Sequence, residues 1–113
     1  MPKSLHDLIN GRITGIQRTH DYWSITTDEC GINIYNPVKC CLRFNEYREL
    51  QHMLIDDIIG HVIVDVDYEE SHHLNFKLDN NCIIMISLVS EEYIGPEAAS
   101  MHFSSGETLV VQE

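Results

Sequence analysis

The chain has 113 residues, 43% of them hydrophobic, and a formal net charge of −11. That length suits one domain over residues 1–113, because a second core would need roughly 50 further residues, and the composition supports a packed core rather than disorder. No apolar run approaches the ~20 residues of a membrane span, and the opening "MPKSLHDLING" has no apolar signal core, so no membrane contact is expected and the expected location is cytoplasmic.

In chain order, Ser4 followed by Asp7 reads as a capping box, with Leu5, Leu8 and Ile9 as an apolar stripe, so a short helix is expected to end near Asn10 and Gly11. Three strands follow: "RITGIQRT", "DYWSITT" and "GINIYN", the last with Ile32 and Ile34 on one face and stopped by Pro37. Tyr47, Leu50 and Leu54 then recur at three- and four-residue steps behind Asn45, which predicts a second helix from Glu46 to Ile55.

The stretch "IVDVDYEESHH", Ile63 to His73, reads as a strand. Its alternation sends Val62, Val64, Val66 and Tyr68 to one face and His61, Ile63, Asp65, Asp67 and Glu69 to the other. "HLNFKL" turns through "DNN" into the nearly continuous apolar "CIIMISL", a hairpin whose second arm belongs near a sheet centre. After "SEEYIGPE", the segments "ASMHF" and "TLVVQ" form a last hairpin across "SSGE".

The expected fold is mainly β (α+β): about eight strands and two short helices in a curved antiparallel sheet, flattened barrel or sandwich. An internal echo, "LINGRITGI" against "DIIGHVIVDV", suggests a duplicated α-β-β-β unit over residues 4–38 and 46–90, with a closing hairpin at 98–112.

Charge is unevenly placed. Residues 1–48 hold six bases against five acids, whereas residues 49–113 hold thirteen acids against Lys77 alone, a net of −12. Such a half repels phosphate, which argues against direct nucleic-acid binding and would steer a basic partner toward it. For Asp65, Asp67 and Glu69, about 7 Å apart along one face, three readings stand: a solvated face, a docking face for a basic protein, and a metal site. The metal reading is the weakest, because a flat row is a poor cage for a cation that wants wrapping loops, and His72 and His73 leave an extended segment on opposite sides.

The four cysteines, Cys30, Cys40, Cys41 and Cys82, lack metal-knuckle or CxxC spacing and are expected to be thiols serving as core filler. The sequence has no phosphate loop, GxSxG or HExxH, and its seven histidines are scattered. Any Ser/His or Cys/His meeting would be coincidental at these numbers, and His102 reads as an outward strand residue. Tyr22 and Trp23 read as one ring in the core and one at the edge, or else as a binding platform. No cofactor and no metal are expected.

The segments "IYNPV" at 34–38, "YIGPEAASMHF" at 93–103 and "SGETLVVQ" at 105–112 resemble small bacterial β proteins that serve as immunity proteins in polymorphic-toxin and contact-dependent-inhibition systems. The resemblance implies a small, cytosolic, acidic, non-enzymatic protein that binds one cognate toxin domain, commonly a basic nuclease, and occludes its active site. It transfers no binding residue. On the charge pattern, the expected partner face is Asp65, Asp67, Glu69 and Glu70, assisted by Asp56, Asp57, Glu91, Glu92 or Glu97, with Gly95, Pro96 and Glu97 also serving as a turn. The alternative is a structural or oligomeric β module, or less plausibly a metal-binding or enzymatic protein.

Overall fold

The computed structural model describes residues 3–42, 46–49 and 57–112. They form ten strands: β1 (Ile13–Arg18), β2 (Trp23–Thr27), β3 (Cys30–Ile34), β4 (Val38–Leu42), β5 (Glu46–Glu49), β6 (Ile63–Glu69), β7 (His73–Leu78), β8 (Ile83–Ser87), β9 (Glu97–Phe103) and β10 (Thr108–Gln112). All pairings are antiparallel. One sheet has the order β1-β2-β3-β9-β10 and the other β5-β4-β8-β7-β6. The fold is mainly β, as the alternating sequence requires.

Both sheets press on one core. Ile13, Ile25, Ile32, Ile34 and Met101 come from the first, and Ile63, Leu74, Phe76, Ile84 and Ile86 from the second, each at most 1% exposed. Burying such side chains supplies about 1.5–3 kcal/mol apiece relative to leaving them in water. β8 lies at the middle of its sheet, where its apolar run belongs.

The two halves of the chain repeat the same construction. Ile13 faces Thr27 and Gly15 faces Thr26 across a bulge; Ile63 faces Leu78 and Asp65 faces Lys77 across the same bulge. Where the halves meet, Arg12 bridges Val62 and the bonds are reciprocal. Ile13 N–H donates to the His61 carbonyl and Ile63 N–H to the Gly11 carbonyl, both at 2.9 Å. The hairpins then cross over: β4 leaves the first half to pair with β8, and β9 leaves the second to pair with β3. Each half therefore completes the other's sheet, and the hairpin β9–β10 has its counterpart in β4–β5.

Four expectations change. The first helix is a single 3-10 turn, Leu5–Leu8, although its cap forms as read: Ser4 N–H donates to the Asp7 carboxylate at 2.7 Å. The second helix is displaced from Glu46–Glu49, which pair as β5 with β4, so tertiary pairing overrides the local helical period; residues 50–55 of that expectation lie outside the described residues. β4, short and placed just after Pro37, was also absent from the eight-strand expectation, and with β5 it brings the number of strands among the described residues to ten. The bulge after Ile63 breaks the alternation read from the sequence: Ile63 and Val66 both point into the core at 0% and 6% exposure, while Val64 is exposed.

Candidate partner-binding face

β6 is an edge strand, and beyond its bulge Asp65, Asp67 and Glu69 alternate outward with Val66 facing the core. Glu70 is exposed in the turn that follows, where Ser71 takes a left-handed φ of 66°. These four carboxylates are the part of the expected face that the fold brings together.

Three of them have contacts inside the protein. Asp65 Oδ1 accepts the N–H of Val66 at 3.0 Å, occupying a backbone donor of this edge strand. Asp67 Oδ2 lies 2.9 Å from His73 Nε2 across the β6–β7 pair. Glu69 stands 3.9 Å from both His73 Nδ1 and His72 Nε2. Even so, the Asp67 and Glu69 side chains keep 67% and 60% of their surface in solvent.

The assisting acids scatter. Glu92, in the 3-10 turn Ser90–Glu92, accepts from Ser87 Oγ at 2.8 Å and lines a cavity of about 400 Å³ with Lys39, His72, His73 and Met85. Glu91 is exposed in the same turn. Asp57 sits at the opposite end of the strand, its carbonyl accepting from Asn80 Nδ2 at 3.0 Å. Glu97 opens β9 and lines a different groove with Asp21, Tyr35 and Ile94. Asp56 lies outside the described residues.

Asp79 was missed. It sits in the β7–β8 turn with its Oδ1 2.7 Å from His61 Nδ1, and this hydrogen bond is the main cause that holds its carboxyl below the ordinary aspartate value. The sequence marked "DNN" as a turn, which masked its electrostatic role.

The remaining candidates for chemistry have structural uses. Ser100 Oγ is 3.1 Å from His102 Nε2 and 3.2 Å from Tyr35 Oη, but Ser100 is buried, so its hydroxyl links the two side chains rather than standing open to substrate. The Ser–x–His spacing places both side chains on one face of any strand. Cys30, Cys40 and Cys82 are buried and Cys41 is half-buried. Burial pushes the Cys30 thiol up to about 11, and the hydrogen bond that the Cys40 thiol donates to Cys82, together with burial, raises Cys40, which keeps those two sulfurs protonated and poorly nucleophilic; the same bond lowers Cys82, whose sulfur is buried against its donor. Among the described residues no group of three or more His, Cys, Asp or Glu is arranged to hold a metal ion, and no helix is long and apolar enough to cross a membrane.

No protein-family model, curated protein or solved structure matches the chain.

Proposed function

We propose that this is a binding protein of the immunity type, an antitoxin that covers the nucleic-acid cleft of a basic toxin domain, a nuclease in the reading favoured here. The observation that carries the proposal is the row Asp65, Asp67 and Glu69 along one edge strand with Glu70 in the turn that follows, all four residues exposed, in a half of the chain whose net charge is −12. Carboxylates spaced about 7 Å apart on a strand approximate a run of phosphates, and lysines and arginines that hold nucleic acid are the groups such a row would pair with.

The role of the face is recognition rather than turnover. Steering by the acidic strand would give fast association that falls with salt, while a few desolvated pairs would set the dissociation rate. Its expected location is the cytoplasm, where such a toxin would act.

The test is capture with the tagged protein from its native host at low and then high salt, followed by identification of what co-elutes and a nuclease assay with and without the captured protein. One basic protein, held at low salt, weakened at high salt and inhibited by the chain, is the expected result. Self-association with no such partner would instead support a structural β module assembling through its sheet edges.

A further inference from the structure

The most exposed large apolar side chain of the described residues is Ile94, at 83%. It lies on the loop between β8 and β9, far from the Asp65–Glu70 row in sequence, and it borders two adjoining cavities. One, of about 250 Å³, is walled by Tyr22, Trp23, Tyr35 and Asn36. The other, of about 380 Å³, is lined by Asp21, Tyr35, Ile94, Gly95, Pro96 and Glu97. A single exposed apolar side chain is ordinary on a protein surface, but Ile94 lines both cavities and extends their apolar rim.

The wall is fixed before anything binds. Tyr35 donates its N–H to the Ala98 carbonyl at 2.8 Å, its hydroxyl meets Ser100 Oγ at 3.2 Å, and its ring packs at 56° against Tyr22 with centroids 5.3 Å apart. Next to it, Asn36 Nδ2 donates to the Ser87 carbonyl at 2.8 Å and ties down the crossover between the sheets. In the smaller cavity Arg18 lies over Trp23, 5.3 Å from the ring centroid, so that aromatic face is already covered by a cation from within. The larger groove has no such occupant, and the charged side chains in its lining, Asp21 and Glu97, are both carboxylates.

We propose that the larger groove is a subsite for one arginine, presented on an extended segment of a basic protein partner. Its apolar and aromatic lining suits the aliphatic stem, Tyr35 offers a ring for the planar guanidinium, and Asp21 and Glu97 supply the acceptors for its fork of N–H donors. Lysine, with a compact and strongly hydrated ammonium, would gain less from the ring. The groove deepens the docking role proposed above and rests on it for the partner being a protein; its chemistry can be tested without that partner.

The experiment is an NMR titration of the ¹⁵N-labelled protein with acetyl-arginine methylamide, its citrulline counterpart and the lysine analogue. Shifts confined to Asp21, Tyr35, Gly95 and Glu97 and at least fivefold smaller with citrulline are expected. They should fall to the citrulline level in Asp21→Asn/Glu97→Gln and drop at least twofold in Ile94→Ala, a change at a side chain too exposed to threaten folding. Asp65→Asn/Asp67→Asn should leave them unchanged. Absence of shifts at millimolar ligand, or equal shifts with citrulline, would overturn the proposal. Shifts centred on β6 would overturn it as well, while leaving the acidic strand standing as a cation-binding face.

Discussion

Asn10 and Gly60 occupy matching places in the two halves of the chain. Asn10 N–H donates to the Ile63 carbonyl and Gly60 N–H to the Ile13 carbonyl, each at 2.7 Å, and both residues have positive φ, 76° and 90°. The sequence echo had matched Gly11 with Gly60; the structure shifts the match by one residue, and Asn10 is the true counterpart. The reason is that the turn needs a left-handed backbone, which glycine and asparagine both accept.

That relationship predicts an order of tolerance at position 60. A Cβ there would meet nothing within 4 Å, so the cost of Gly60→Ala is backbone strain, about 1–2 kcal/mol. Gly60→Asn should cost clearly less. Urea unfolding of the two variants checks this, and equal midpoints would remove the argument from the turn.

The core makes a steeper demand. Phe76 and Ile25 hold equivalent central places on β7 and β2, facing Val66 and Ile16 respectively, at 0% and 1% exposure. Phe76→Ala should lose about 3–5 kcal/mol and Ile25→Val about 0.5–1.5. Because the crossed hairpins tie each sheet to both halves, the loss should appear as one cooperative transition in both fluorescence and circular dichroism.

Much of this fold was legible, and the failures have physical causes. A period-two pattern marked β7, which presents Leu74, Phe76 and Leu78 to the core, and a nearly continuous apolar run marked β8 at the middle of its sheet. Alternation misled at β6, since a bulge after Ile63 changes which residues point inward and cannot be seen in a row of apolar and acidic letters. Glu46–Glu49 has a helical spacing of neighbours yet pairs with β4, a decision made by a strand elsewhere in the chain. The acidic row was legible as charge, but the pairing of Asp67 with His73 needed the register. The aromatic groove was not, because Glu97 reaches Tyr35 only through the crossover that pairs β9 with β3.

The acidic strand should be separable from the fold. Asp67→Lys reverses a charge whose side chain is 67% exposed, so stability should change by only about 0.5 kcal/mol, whereas association with a basic partner at low salt should slow by about tenfold or more and the difference should shrink as salt rises. Asp65→Ala is expected to behave differently, because it also exposes the Val66 N–H on the sheet edge. Stopped-flow association at several salt concentrations checks both; an unchanged rate for Asp67→Lys would place the partner elsewhere.

Thiol reactivity should follow burial. Cys41 is half-exposed, while Cys30, Cys40 and Cys82 are at most 5% exposed, and the raised Cys30 and Cys40 thiols carry little thiolate at neutral pH. A disulfide-exchange reagent should therefore modify one sulfur quickly in the native protein and the other three only as it unfolds. A fast phase of two or more thiols would contradict that arrangement.

The pairing of His61 with Asp79 gives a pH dependence of definite sign. The hydrogen bond from His61 lowers the Asp79 carboxyl below its unfolded value, so the folded state binds its proton less readily than the unfolded chain does. The stabilisation is present above the unfolded aspartate value and is lost as pH falls through the lower, folded one. His61→Ala should move the Asp79 titration upward, toward an ordinary aspartate, and flatten the acid limb of the stability curve. Carboxyl NMR titration of Asp79 in both proteins reads this directly. If the titration stayed where it was, the 2.7 Å contact would have no electrostatic consequence and the Val62 backbone bond would be the better account of the shift.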